Sequence, residues 1–339
     1  MCQNGNGAVD SGRSGRIGAS SVATIIGLPV PTPPLRLLSA EEVHAALPWQ
    51  ALATAIASAF VAPPQSPVRT AHPLSDSDSL LLMPAWDAAA IGVKLVTVIP
   101  TAASRGGRTV EATYLLLDRT TGAPLALLDG EALTVRRTAA TSVLAARALA
   151  RTDPHTLLVI GTGRLAPWML RAYAALLPSL QRLLVWGRSE AAAAAVATEL
   201  RAEGVVVEVA QDRPAAVASA DIVSCVTTAT EPVVRGAWLR DGVHLDLVGG
   251  FTPEMRESDD SAIARARVVV DTRAGAMPTA GDLVQPLAAG VIAESHVLAE
   301  LAEVLRGTVT VRRDARDVTL FKSVGHALED FAAAQLVVR

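Results

Sequence analysis

The rhythm of apolar and polar positions changes twice along the chain. Behind Ser39-Ala-Glu-Glu42, a capping box, small and large apolar residues recur at helical spacing, which predicts one Ala-rich helix to about Phe60, ended by Pro63, Pro64 and Pro67. Four short apolar runs follow, Leu80–Met83, Gly92–Ile99, Val110–Asp118 and Pro124–Asp129. Turn signals at Ser104-Arg-Gly-Gly107 and Thr120-Thr-Gly122 separate them, so they predict a meander of antiparallel strands. Helical spacing returns from Arg137 to Arg151.

From Leu157 strands and helices alternate. The pattern predicts strands at Leu157–Ile160, Leu183–Trp186, Val205–Val209, Ile222–Thr227, His244–Val248 and Val268–Asp271, with helices at Arg164–Leu177, Glu190–Glu203 and Pro214–Ser219 between them. Such alternation implies an α/β fold with a doubly wound parallel sheet. A strand at Val309–Val311 and a helix at Ala327–Val338 close the chain, and propensity alone leaves open which layer they join.

Composition narrows the class. Half of the 339 residues are apolar, 19% are charged and the net charge is -3, which predicts a large buried core and excludes a disordered chain. With 4 Phe, 5 Trp and 2 Tyr and no basic stripe, nucleic acid is not an expected partner. No apolar run has the roughly 18 residues of a membrane span. Cys2 and Cys225 can build neither a disulfide framework nor a zinc site, so a reducing cytoplasm is expected. The six histidines show no metal-ligand spacing, and no GxSxG elbow is present. Residues 1–34, rich in Gly, Ser, Asn and Pro, read as a flexible extension, since Gly27 and Pro29 break the mildly apolar run that faintly suggests a targeting signal. Of 30 basic residues only Lys94 and Lys322 are lysines.

Gly161-Thr162-Gly163-Arg164-Leu165-Ala166 follows a strand and opens a helix, the arrangement that brings a pyrophosphate against a helix N-terminus. The second strand then ends in Trp186-Gly-Arg188-Ser189, where an NAD-binding unit usually carries an acid for the ribose hydroxyls. Arg188 and Ser189 suit a 2′-phosphate instead, so NADPH is favoured and NADH remains an option. Thr227 and Thr228, where the Ile222 strand ends, either contact the cofactor or cap the next turn. Three cations stand where local preference disfavours them: Arg69 in a Pro-bounded loop, Lys94 inside an apolar strand, and Arg137 at an expected helix start. A small carboxylate is the simplest anion to explain them.

Gly92-Val-Lys94-Leu-Val96, Leu133-Thr-Val-Arg-Arg137-Thr-Ala-Ala140, Gly161-Thr-Gly163, Leu245-Asp-Leu-Val-Gly-Gly250 and Phe321-Lys-Ser-Val-Gly325 occur in this order. Together they make the chain, from about residue 36 to 335, resemble the ornithine cyclodeaminase/mu-crystallin family. The resemblance implies an α+β substrate-binding and dimerisation domain, residues 35–150 with 310–339, into which a Rossmann domain, residues 151–309, is inserted. It also implies a homodimer, and roles for Arg69, Lys94 and Arg137 in holding and polarising a substrate α-carboxylate.

One departure bears on the reaction. Cyclodeaminating members carry Asp directly after the two-glycine turn, and Phe251 stands there in this chain. A phenyl ring accepts no proton, which argues against ornithine or lysine cyclodeamination. The segment from Asp246 to Asp260, with Gly281-Asp-Leu283 later, looks like the branch that reduces the cyclic ketimines Δ1-pyrroline-2-carboxylate and Δ1-piperideine-2-carboxylate to L-proline and L-pipecolate. Lys94, Asp282 or a water could supply the proton, and the residues do not rank them. Three alternatives stay open: an amino-acid dehydrogenase using an oxo acid and ammonia, an ornithine cyclodeaminase-like enzyme despite Phe251, and a non-catalytic NADPH-binding protein like mu-crystallin.

Overall fold

A computed structural model describes residues 34–339, so all but the last residue of the expected 1–34 extension lies outside the described residues. The chain opens with β1 (Arg36–Leu38), α1 (Ala40–Ala45) and α2 (Trp49–Val61). The single helix expected from Ser39 to Phe60 is therefore two. Ser39 and Glu42 form the capping box as expected, but Pro48 lacks the amide a continuing helix needs and becomes the N-cap of α2.

The meander follows as β2 (Thr70–Pro73), β3 (Ser79–Trp86), β4 (Ala90–Val98), β5 (Val110–Asp118) and β6 (Pro124–Asp129), and then the helix α3 (Gly130–Leu149). The strand order is β1-β6-β5-β4-β3-β2, antiparallel except for β1 against β6. The three-residue β1 and the exposed β2 escaped the pattern because neither alternates strongly. On the inner face Met83, Ala85, Tyr114, Leu116, Ala126 and Leu128 pack against α2, α3 and the last helix of the chain. On the outer face Pro84, Val93, Leu115, Leu127 and Leu37 line up in one row across five strands.

The second layer runs β7 (Thr156–Ile160), α4 (Leu165–Leu176), β8 (Arg182–Trp186), α5 (Glu190–Ala202), β9 (Glu208–Val209), α6 (Arg213–Ser219), β10 (Ile222–Cys225) and β11 (His244–Leu247). It continues with α7 (Asp260–Arg265), β12 (Arg267–Val270), α8 (Arg273–Thr279), α9 (Gly281–Ala288), β13 (Val297–Glu300), α10 (Leu301–Leu305), β14 (Thr319–Lys322) and α11 (Ala327–Val338). All eight strands are parallel, in the order β9-β8-β7-β10-β11-β14-β12-β13. Strand order reverses between β7 and β10, the switch point where a doubly wound sheet opens its binding crevice. This is the α/β Rossmann layer expected, with apolar clusters on both of its faces.

The end of the chain divides differently from the expectation. Val309–Val311 is not a strand, whereas the fully buried Thr319-Leu-Phe-Lys322 is β14, inside the second sheet rather than with the first domain. α11 returns to the first sheet, packing on α2, α3 and β4. Its apolar residues Phe331, Ala333, Ala334 and Val337 share a core with Ile56, Phe60 and Leu133. The four residues between β14 and α11, Ser323 to His326, thus join the two layers.

Candidate active site

Alternation along β4 sends Lys94 to the inner face, opposite Met83 and Tyr114, with only 3% of its surface exposed. Its Nζ lies 2.9 and 2.8 Å from the two carboxylate oxygens of Asp330 and 3.4 Å from the hydroxyl of Thr134. The Tyr114 ring covers Gly92, where any side chain would collide with it, and its buried hydroxyl has no partner among the described residues.

Arg137 is the eighth residue of α3, not its first, because Asp129 caps the helix by accepting from the amide of Ala132 at 2.7 Å. Arg137 therefore lies beyond the first turn of α3 and not at the helix start expected for it. About 100° of helix rotation separates it from Arg136, which stacks over Trp49 at 3.8 Å on another face of α3. Arg137 instead donates through Nε to Asp330 Oδ1 at 3.0 Å and through Nη1 to Glu329 Oε2 at 2.7 Å.

Arg69 completes the group. Its Nη2 donates to the carbonyls of Val324 and Gly325 at 2.6 and 2.7 Å, while Asp271 Oδ2 accepts from the amides of the same two residues at 2.7 and 2.8 Å. Gly325 has φ +83, and a Cβ there would lie 2.8 Å from Arg137 Nη2, so only glycine passes between the guanidinium and the turn.

The three cations expected to meet do meet, but they are not bare. Asp330, Glu329 and Asp271 compensate them, because an unpaired charge buried this deeply is prohibitively desolvated. Sequence reasoning missed these acids; the His326-x-x-Glu329 capping-box spacing before a helix was the available signal. Free donors remain nonetheless: Nη2 of Arg137 and Nε and Nη1 of Arg69 have no acceptor among the described residues.

Burial lowers the Lys94 ammonium from its ordinary value to about 8, against the pull of Asp330. Burial also pushes Asp330 upward, but Arg137 and Lys94 together outweigh it and hold the carboxyl below its usual range. Arg137 is kept cationic by Asp330 and Glu329 despite its own desolvation. Asp330 thus stays an anion through Arg137, and Lys94 is the cation that releases its proton more readily.

Asp282 is elsewhere. It is fully buried, its Oδ1 accepting from the amides of Glu257 and Ser258 at 2.8 and 3.0 Å, and its Oδ2 lies 3.2 Å from Lys322 Nζ. None of Arg69, Lys94 or Arg137 is its partner, and it anchors the turn at Glu257 and Ser258. Glu257, in the same buried group, accepts from the amide and hydroxyl of Thr227 at 2.6 and 2.9 Å and from the amide of Gly249 at 2.7 Å. It ties together the ends of β10 and β11. Phe251, just beyond, is 45% exposed.

At the switch point Gly161 has φ +127, and a Cβ there would lie 2.8 Å from the carbonyl of Val226 at the end of β10. Gly163 has open space around its Cα, and no side chain caps the N-terminus of α4. Thr162 is half-buried, Leu165 opens α4 and the buried Ala166 packs it onto the sheet. Such a turn fits a dinucleotide pyrophosphate, with uncapped amides facing the approach. Arg164 pairs with Glu131 of α3 at 2.7 Å, linking the turn to the first domain. Arg188 is exposed and has no ion-pair partner among the described residues. Ser189 caps α5 by accepting from the amide of Ala192 at 3.2 Å, which leaves its hydroxyl proton free to donate. Thr227 is held by Glu257, and Thr228 is exposed beside it.

Among the described residues, no three His, Cys, Asp or Glu side chains are grouped to hold a metal ion, and no helix is long and apolar enough to cross a membrane. A cavity of about 330 Å³ lies between α1, α3 and α4, lined by His44, Glu131, Arg164 and Trp168, apart from the cations.

A sequence model of the ornithine cyclodeaminase/mu-crystallin family matches residues 35–339. The chain is 36% identical over 307 residues to Delta(1)-pyrroline-2-carboxylate reductase of Paracoccus denitrificans, spanning 90% of this chain and 96% of that one. The solved structure of Thermococcus litoralis Delta(1)-pyrroline-2-carboxylate reductase, in complex with NADH and L-proline, superimposes with a TM-score of 0.84 at 34% identity, over 90% of this chain and 96% of that one. An archaeal alanine dehydrogenase dimer with bound NAD superimposes with a TM-score of 0.83 at 28% identity, over 90% and 95% of the two chains. With its two sheets, its switch-point turn and this family match in agreement, the chain belongs to the ornithine cyclodeaminase/mu-crystallin family.

Proposed function

We propose that this protein is an NAD(P)H-dependent oxidoreductase acting on C=N bonds, and that it reduces a cyclic ketimine carboxylate, Δ1-pyrroline-2-carboxylate or Δ1-piperideine-2-carboxylate, to L-proline or L-pipecolate. The observation that carries this reading is the gathering of Arg69, Arg137 and the Lys94 ammonium around the start of α11, with guanidinium donors left free. A substrate carboxylate takes the guanidinium donors, which fixes the ring and its C=N bond in one orientation. The bound dinucleotide supplies the hydride that adds to the imine carbon. Lys94 gives the proton to the ring nitrogen, a task suited to an ammonium whose pKa burial has brought to about 8. Phe251 leaves the position after the two-glycine turn without an acid–base group, in keeping with imine reduction rather than ring-closing deamination.

NADPH is the preferred cofactor in this reading. The unpartnered Arg188, with Ser189, offers a 2′-phosphate a forked cation and a hydroxyl where an acid would select NADH. The protein works as a homodimer, with the apolar row on the outer face of the first sheet as the contact surface. The substrate domain comprises β1 to α3 with α11, and the dinucleotide domain the eight-stranded layer. Cys225 is a buried free thiol, consistent with a reducing cytoplasm.

The likeness to an archaeal alanine dehydrogenase favours one second reading, reductive amination of an open-chain oxo acid. Oxidation of NADPH is followed with each cyclic ketimine and, in parallel, with pyruvate plus ammonium. Turnover with the ketimines supports the first reading; turnover only with pyruvate and ammonium replaces it by the second.

A further inference from the structure

One polar side chain at the cation cluster has no role in the reading above. His326 is the N-cap of α11, and its Nδ1 accepts from the amide of Leu328 at 3.3 Å. An Nδ1 that accepts must carry its lone pair, so in the neutral ring the proton is on Nε2. That Nε2 has no partner among the described residues and is not sealed inside the protein.

The surroundings of the ring are those of the anion site. The preceding carbonyl, of Gly325, accepts from Arg69, and Glu329 bridges the His326 amide at 3.2 Å and Arg137 at 2.7 Å. Arg69, Arg137, Glu329 and Asp330 all act electrostatically on the imidazole, and burial disfavours its cationic form. A neutral donor is therefore presented beside two guanidinium groups whose own outward donors are free.

We propose that His326 is a substrate-binding residue: its Nε2–H donates to one oxygen of the substrate carboxylate, alongside Arg69 and Arg137. This rests on the reading of the cluster as a carboxylate site. Because the imidazole is uncharged, it adds direction to the anion site without adding a fourth cation to one in which three carboxylates already balance three cations. Specificity follows, since a substrate lacking the acceptor leaves a desolvated donor unpaired.

Capping and ligand binding can be separated. In His326→Asn the side-chain oxygen takes over from Nδ1 as the cap, an arrangement favoured at N-caps, but the shorter amide does not reach where Nε2 stands. KM for Δ1-pyrroline-2-carboxylate should rise about tenfold with kcat within about twofold, and the melting temperature should stay at its wild-type value. His326→Ala should raise KM equally while also lowering the melting temperature through loss of the cap. Calorimetry with pyrrole-2-carboxylate, which carries the carboxylate but no reducible imine, reads the contact without turnover and should show the same tenfold difference. If wild type bound this analogue more tightly than His326→Asn yet reduced no cyclic imine, the proposed function would fail and this contact would stand. Equal KM and equal affinity in wild type and His326→Asn, or no binding by either, would overturn the contact itself.

Discussion

Lys94 and Asp330 form an ion pair sealed from solvent, Nζ to Oδ2 2.8 Å, between residues 236 positions apart in sequence. It joins the middle of the first sheet to the only element after β14, and it sets the charge of the proposed proton donor. Burial disfavours the ammonium and Asp330 favours it, with a balance at about 8. Activity that needs the protonated lysine should therefore be retained below pH 8 and fall as pH rises through it. Asp330→Asn removes the favouring partner, so the alkaline limb of the kcat profile should move to lower pH. Loss of one member of a buried pair should also cost about 3–5 kcal/mol of stability in denaturant titrations. An alkaline limb that did not move would assign the proton transfer to another group.

Lys94→Met tests whether the chain is an enzyme or only a binder of dinucleotide. The substitution matches the stem in volume, and Arg137 still compensates Asp330, so the fold should persist. Imine reduction should fall by at least about 100-fold in kcat, the usual worth of a positioned acid. Dinucleotide affinity, read by quenching of protein fluorescence, should not change. A variant that kept its rate would remove Lys94 from the chemistry.

Arg188 carries the cofactor preference. Arg188→Ala should raise KM for NADPH about tenfold or more, as loss of a charge-assisted contact does, and leave KM for NADH within about twofold. Equal effects on both cofactors would mean that Arg188 does not meet the 2′-phosphate.

Leu115 sits at the centre of the outer apolar row, between Val93 and Leu127. Leu115→Asp should convert the proposed dimer to a monomer in sedimentation velocity, because a carboxylate cannot be desolvated at such a contact. A wild-type protein that sediments as a monomer would contradict the proposed use of this face.

Sequence periodicity found both layers, since Val110–Asp118, Glu190 at the start of α5 and Ala327–Val338 stand where the pattern put them. It failed where a boundary depends on tertiary contact. Asp129 starts α3 earlier than the apolar spacing predicts, and the closing strand lies at Thr319–Lys322, paired on both edges, rather than at Val309–Val311. Within the site, the cations were legible because lysine and helix-borne arginine stood out locally. Their counter-ions were not: Glu329 and Asp330 look like ordinary first-turn acids of an amphipathic helix. Asp282, weighed as a proton source, is sealed beside Lys322, a placement that the packing of β14 creates.

The central claim is hydride delivery to a cyclic imine carbon, and isotope transfer measures it directly. The enzyme is incubated with Δ1-pyrroline-2-carboxylate and NADPH carrying deuterium on both positions of nicotinamide C4, and the amino-acid product is analysed by mass spectrometry and proton NMR. L-Proline with one deuterium at Cα is the outcome this account requires. Unconsumed NADPH, or proline formed without deuterium at Cα, would contradict it.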